Sequence, residues 1–407
     1  MTSTILIIGA GQAGSQAVST LRSEGYKGRI LLVGDEPYFP YQRPPLSKKY
    51  LAAEIGNDRL LIRPETYYQQ QNVEVRLSVS ATRIDRAKKT VTFSDHSEER
   101  YDKLLIATGA RVRKLTLPHA DLQDVLYLRT IADVDLIQPF IKPGKKVVLV
   151  GGGYIGLEVA AVAVKRGATV TVVEMAERLM ARTTSEPVAS FFEAEHRKAG
   201  VQLRLGAMCQ GFEERAGRLV RVRLADGSAV EADVAIVGVG VEPAISLAKD
   251  AGVVCENGIR VDEFGRTSDP DIYAAGDCTN HPNPFVGGMI RLESVQNAID
   301  QAKHAALAMI GKPTPYNEVP WFWSDQYDLK LQSAGIAREY DQLVTRGDPE
   351  SRNFAVFYLK DHRMLAVDAV NAVPEYMFGR KLIAGRKTVT AERLENKSIS
   401  MKEIASD

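Results

Sequence analysis

The sequence predicts an α/β protein with two separate βαβ units and a C-terminal α+β domain. Three observations predict it. The chain opens on an apolar β-branched run, TILII (Thr4–Ile8), followed by glycines at 9, 11 and 14, a helical stretch to about Gly25, and a second apolar run, RILLVG, ending in Asp35-Glu36. About 140 residues on the pattern repeats: a strand at Lys146–Val150, glycines at 151, 153 and 156, a helix to about Arg166, and the strand ATVTVVE ending in Glu174. Past Pro313 the texture changes, and WFWSDQYDLKLQSAGIA and NFAVFYLKDHRMLAVDAVNA alternate polar with apolar. Continuous short apolar runs suit strands buried on both faces of a parallel sheet, whereas alternation suits antiparallel strands with one wet face.

Each element has a local reason. In both βαβ units the glycines fall in GxGxxG spacing between a strand and a helix. That spacing permits a tight turn and lets a pyrophosphate approach the helix N-terminus, where free N–H groups and the helix dipole favour an anion. An acid at the end of the second strand accepts hydrogen bonds from ribose hydroxyls. Glu174 fills that place in the second unit; in the first, Asp35 fills it with Glu36 as a close rival. Two complete units imply two dinucleotide sites. YDKLLIATG (Tyr101–Gly109) and ADVAIVGVGVEP (Ala232–Pro243) read as strand exits that bracket the second unit. The second unit is therefore an insertion, with expected boundaries 1–110 and 241–315 for a discontinuous first domain, 111–240 for the inserted one and 316–407 for the third. TSDPDIYAAGDC is a strand with Gly276-Asp277 at its tip, and RLESVQNAIDQAKHAALAMIG a helix over about Glu293–Ile310. In the third domain a turn at Asp361–Arg363 separates two strands, VPEYMFGRKLIAG is a short helix, and the tail after Arg386 is polar and charged.

Bulk properties exclude several classes. The 407 residues carry a net charge of +1, too balanced for a nucleic-acid-binding chain. No window approaches the roughly 20 apolar residues of a membrane span, and MTSTILIIGAG enters a strand without a basic leader. A cytoplasmic protein is expected. Three scattered cysteines (Cys209, Cys255, Cys278) without a CxxC pair argue against disulfides, zinc or an iron–sulfur cluster on this chain. The six histidines lack metal spacing and read as structural or surface; no metal site is expected.

Taken in order, GAGQAG, ATG, GGGYIGLE, AAGDC and WFWSDQY resemble the two-dinucleotide flavoproteins of glutathione-reductase-like fold. RPPLSKKYL, RLESVQNA and FWSDQY are similar to the FAD-dependent ferredoxin reductases of bacterial oxygenase systems. The resemblance spans essentially the whole chain; its glycine signatures are widespread, its RPPLSK and WSDQ motifs much more specific. It implies FAD at the first fingerprint, with Gly9, Gly11, Ala13 and Gly14 at the pyrophosphate, Asp35 or Glu36 at the ribose, Ala81 and Arg129 as further contacts and Asp277 at the ribityl chain. The helix N-terminus at Ser294, Val295 and Gln296 would face the flavin N1–C2=O edge, where reduction places negative charge. NADH would occupy the second fingerprint, at Gly151, Gly153, Ile155 and Gly156, with Glu174 on the ribose and repelling a 2′-phosphate; Arg178, four residues on, speaks against strict NADH preference.

The stretch FPYQRPPLSKKYL (Phe39–Leu51) carries the chemistry the resemblance implies. Disulfide-reducing relatives of the fold use a cysteine near the flavin, and none of the three cysteines lies in this segment, so a thiol relay is not expected. Lys48 would instead present a fixed cation to flavin N5, on a short helix stiffened by Pro44 and Pro45, with Glu158 as its partner near the nicotinamide carboxamide. Trp323 would shield the flavin and line the route to an acceptor, with Trp321 the weaker candidate. The plain alternatives are a surface lysine, a surface arginine at 129, a turn aspartate at 277 and a core tryptophan at the domain interface. The implied activity is NADH:ferredoxin oxidoreduction, in which a 2Fe-2S ferredoxin supplies a haem-thiolate monooxygenase or ring-hydroxylating dioxygenase. Rival readings are a rubredoxin reductase or NADH oxidase on the same scaffold, or a redox-sensing NADH-binding flavoprotein. The ferredoxin is expected to be acidic and to dock on a basic face drawn from Arg63, Lys330, Arg380, Lys381, Arg386 and Lys387; the chain itself is expected to be monomeric.

Overall fold

Both apolar strand pairs form the centres of parallel sheets. The computed structural model describes residues 3–406, which fall into two compact units. One holds the chain up to Gln42, Asp58–Arg111 and Glu242–Pro320; the other holds Arg43–Asn57, Val112–Val241 and the chain from Trp321 onward.

The first unit is built on a five-stranded parallel sheet in the order Ile272–Ala274, Lys103–Ile106, Thr4–Ile8, Arg29–Val33, Val73–Arg76. Successive residues of its central strand serve opposite faces, as a pleated strand requires. Ile5 and Ile7 pack with the helices Gln12–Ser23 and Val295–Met309, while Leu6 and Ile8 pack with Ile84, Val91 and Phe93 of a small antiparallel sheet. Burial on both sides explains why the strand reads as an unbroken apolar run. The two helices meet through small side chains, Ala13 and Ala17 on one and Ala298, Ala302 and Ala305 on the other. The long helix begins where expected, with Ser294 as its cap: its hydroxyl accepts from the Asn297 amide at 3.1 Å.

The second unit repeats the design. Its parallel sheet runs Gln202–Arg204, Thr169–Val173, Lys146–Val150, Val234–Val237, Val125–Tyr127. The same unit contains a five-stranded antiparallel sheet in the order Trp321–Gln326, Leu329–Gly335, Arg363–Val370, Asn353–Lys360, Gln342–Asp348, followed by the helix Val373–Ala384. Three features differ from the sequence reading. The strand Gln342–Asp348 was not anticipated. The polar tail folds into two short helices, Ala391–Glu395 and Met401–Ser406. The strand forms by pairing with Asn353–Lys360, and its Arg346 holds the tail, because the buried guanidinium donates to the carbonyls of Leu394, Asn396 and Ile399 and pairs with Glu375. The third difference is at Lys48. Pro44–Ser47 is a 3₁₀ turn, and Lys48 is the residue that ends it rather than a member of a helix.

Candidate active site

In the first unit the chain turns at Gly9 with φ +114°, and a side chain there would put its Cβ 2.1 Å from the Ala107 carbonyl oxygen. A Cβ at Gly14 would lie 2.1 Å from the Gly9 oxygen, while around Gly11 there is open space. Two of the glycines therefore let backbone meet backbone, and the third leaves room for a ligand. No acid lies in the first turn of Gln12–Ser23, which suits an anion. At the same end of the sheet, where Gly276 lies against Ala13, the buried Gln301 accepts from the Gly276 amide and the Thr279 hydroxyl, each at 2.8 Å. Its Nε2 and the Asn297 Oδ1 are buried without hydrogen-bond partners, as are both ring nitrogens of His281, whose pKa burial pushes down to about 4. Polar atoms so placed on and beside the helix from Val295 fit a polar ring system such as flavin. Asp277 and Val295 are half-buried there, and Ala81 opens the antiparallel sheet of the same unit.

In the second unit Gly151 has φ +110°, with its would-be Cβ 2.4 Å from the Gly238 oxygen, and Gly153 is open. Ile155 is largely exposed on the first turn of the helix Tyr154–Lys165. The Glu174 carboxylate accepts from the Gly152 amide at 2.6 Å and the Ala176 amide at 2.8 Å, which fixes it at the strand end with lone pairs left for a diol. Arg178 is committed elsewhere: its guanidinium donates to the Thr184 and Ala181 carbonyls at 2.7 and 3.0 Å.

The two turns differ at the acid, and one methyl group explains it. Ile8 pairs with Val33 as Val150 pairs with Val173, so the counterpart of Glu174 in the first unit is Gly34. A Cβ on Gly34 would lie 2.5 Å from the Ala10 Cβ, whereas the second unit has Gly152 in the place of Ala10 and admits a glutamate. The acid of the first unit is displaced along the chain: Asp35 is exposed, and Glu36 accepts from the Tyr41 hydroxyl.

The predicted lysine–glutamate pair forms within the second unit. Lys48 Nζ lies 2.7 Å from Glu158 Oε2 and donates to the Pro44 carbonyl at 3.2 Å. Glu158 is 5% exposed and has further donors that the sequence reading missed: Ser47 to Oε2, and Ser324 to Oε1 at 2.7 Å. The signal was present in the alternation of FWSDQ. Ser324 and Gln326 are buried on the side of their strand that also carries the half-buried Phe322, which packs on Tyr154; Trp321 and Trp323 lie against each other, ring centres 5.9 Å apart. Within the WSDQ motif it is the serine that bonds Glu158. Arg129 is half-buried just before the helix Ile131–Ile137; its amide donates to Asp133 and its carbonyl accepts from Arg43 at 2.7 Å. Burial raises the pKa of all three cysteines, that of Cys278 to about 11, which keeps them protonated and poorly nucleophilic. Among the basic candidates Arg63, Lys330, Lys381 and Arg386 are exposed, while Arg380 lies over the Trp321 ring and Lys387 donates to the Ala405 carbonyl.

Residues 3–302 match the family described as pyridine nucleotide-disulphide oxidoreductase, and residues 321–405 match the reductase C-terminal family. The chain belongs to the pyridine nucleotide-disulphide oxidoreductase family. It is similar to a ferredoxin–NAD(P)(+) reductase of Sphingomonas sp, with 43% identity over 95% of this chain and 94% of that one. Among solved structures, the ferredoxin reductase for the CYP199A2 system from Rhodopseudomonas palustris has a TM-score of 0.96 at 41% identity, covering 99% of this chain and all of that one. The covalent putidaredoxin reductase–putidaredoxin complex matches with a TM-score of 0.96 at 38% identity, over 99% of this chain and 98% of that one. The family member described here is therefore a flavoprotein oxidoreductase that uses FAD and NAD(H), with the glutathione-reductase-like fold and the C-terminal α+β domain its motifs predicted. Among the described residues no helix is long and apolar enough to cross a membrane.

Proposed function

We propose that this chain is a cytoplasmic, monomeric NADH:ferredoxin oxidoreductase of a bacterial oxygenase system. The observation that carries the reading is the Lys48–Glu158 pair in a thiol-free RPPLSK segment. A cation replaces the cysteine that a disulfide reductase would need. Bound FAD supplies the conversion of a two-electron hydride donor into single-electron transfers. The chain binds FAD through Gly9, Gly11, Ala13 and Gly14, with Asp35 at the ribose because Glu36 already serves Tyr41. Ala81, Arg129, Asp277 and Val295 complete its contacts. NADH binds at Gly151, Gly153, Ile155 and Gly156. Glu174 accepts from both ribose hydroxyls and repels a 2′-phosphate, and Arg178 already gives two of its donors to backbone carbonyls. Lys48 acts as the electrostatic stabiliser of the hydride-transfer transition state, Glu158 orients the carboxamide, and Trp323 shields the flavin. The acceptor is an acidic 2Fe-2S ferredoxin, which meets exposed basic side chains including Lys330, Lys381 and Arg386.

The test is NADH-driven cytochrome c reduction by the purified yellow protein, with and without an added acidic 2Fe-2S ferredoxin. Strong ferredoxin dependence with NADPH a poor donor is the expected result. Oxygen consumption without ferredoxin stimulation would replace this reading with an NADH oxidase, and FAD binding with neither activity would replace it with a redox sensor.

A further inference from the structure

We propose that Ser324, Gln326 and His196 are positioning residues for Glu158: a buried hydrogen-bond chain, with every donor turned toward the Glu158 carboxylate, holds Oε1 and reserves Oε2 for Lys48 and Ser47. The inference rests on the reading that Glu158 serves the nicotinamide.

The chain runs Glu158 Oε1, Ser324 Oγ at 2.7 Å, Gln326 Nε2 at 3.3 Å, then Gln326 Oε1 to His196 Nε2 at 2.8 Å and His196 Nδ1 to the Tyr327 hydroxyl at 2.8 Å. Glu158, Ser324, Gln326 and His196 are each at most 5% exposed. One group sets every proton along it. A carboxylate only accepts, so Ser324 must give it its single hydroxyl proton. The Ser324 oxygen then accepts, which turns the Gln326 NH₂ toward it and the Gln326 carbonyl toward His196. That carbonyl requires a proton on His196 Nε2. Nδ1 is left bare and takes the Tyr327 hydroxyl proton. Burial depresses the His196 pKa and so maintains the neutral ring this order needs. Donors aligned in one direction polarise one another, so the last of them, Ser324, is the strongest.

The consequence concerns which partner moves. Lys48 is held by Glu158 and one backbone carbonyl, and its side chain is 18% exposed. Glu158 is anchored from inside by the chain. When an incoming carboxamide opens the pair, the lysine swings and the glutamate stays.

Two measurements test this. In protein selectively labelled with ¹⁵N-histidine, the His196 ring is expected as the neutral Nε2–H tautomer; an Nδ1–H tautomer would overturn the proposal, because the donors would then point the other way. In stopped-flow reduction of the flavin by saturating NADH, Ser324→Ala is expected to slow the limiting rate about 10-fold and Ser324→Thr, which keeps the hydroxyl, to restore most of it. In a Glu158→Gln background, Ser324→Ala is expected to add little. An equal effect in both backgrounds, or a threonine variant no better than alanine, would overturn the proposal. Failure of the underlying reading has a separate signature, since Glu158→Gln would itself leave the rate unchanged. A slow Glu158→Gln beside a normal Ser324→Ala would sink the positioning role alone.

Discussion

Lys48 shows how much chemistry one residue can hold. Its charge lies in a setting where Glu158 is almost fully buried, so the local field is far less screened than in water. Lys48→Met is expected to lower the limiting rate of flavin reduction by about 10- to 100-fold with a smaller change in NADH affinity, measured by stopped flow. Glu174→Ala is expected to raise the KM for NADH by about 10-fold or more and to narrow the gap between NADH and NADPH in kcat/KM, because it removes both the ribose acceptor and the repulsive charge. Asp368 gives a pH prediction. It is buried, accepts from the Ser333 and Tyr358 hydroxyls, and has its pKa pushed up to about 6 by desolvation. The folded state therefore holds a proton that the unfolded state has lost between pH of about 4 and 6. Stability from this group is greatest at the acid end of that window and falls as pH rises through it, by about 3 kcal/mol in total. Asp368→Asn should remove the dependence, so that its Tm relative to the parent rises between pH 4.5 and 7; a constant difference would refute the assignment.

At the scale of elements, the strands of the parallel sheets are legible because burial on both faces leaves unbroken apolar runs, as at Ile5–Ile8 and Val147–Val150. The long helix is legible from its serine cap and its alanine stripe. The tail was not. Leu394, Met401 and Ile404 are its buried anchors, split between helices of five and six residues that are too short to register as a periodic pattern, and what organises them is Arg346 from a distant strand. Arg346→Leu is expected to release the segment from Ala391 onward at a cost of about 3 to 5 kcal/mol. Limited proteolysis should then cut within that segment before the rest of the chain, and resistance equal to the parent would show that the apolar anchors suffice.

For the whole molecule, the balanced charge of +1 means that electrostatic steering of a ferredoxin depends on where the cations lie and not on their number. The ferredoxin-stimulated rate at limiting ferredoxin is expected to fall several-fold between about 50 and 300 mM salt, while NADH reduction of the flavin changes little. A salt-independent ferredoxin step would point to an apolar docking surface.

The sequence by itself determined the two dinucleotide units, and the resemblance its motifs carry pointed to the family, to FAD and NADH, and to Lys48 and Glu158 as partners; that the two pair was decided by the structure. The two units are legible because glycine at a forced backbone approach, an acid at a strand end and a run of β-branched residues each has a local physical cause. Tertiary structure decided the rest. It placed Ser324 on Glu158 and laid the neighbouring tryptophans against each other, a matter of strand register that no single residue reveals. It shifted the acid of the first unit off the strand end, because the Ala10 methyl fills the space that Gly152 leaves to Glu174. It also engaged the Arg178 guanidinium with the Thr184 and Ala181 carbonyls, partners its place in the sequence did not announce. Local chemistry can be read along a chain, but the partner that satisfies a buried polar group is chosen only when distant segments meet.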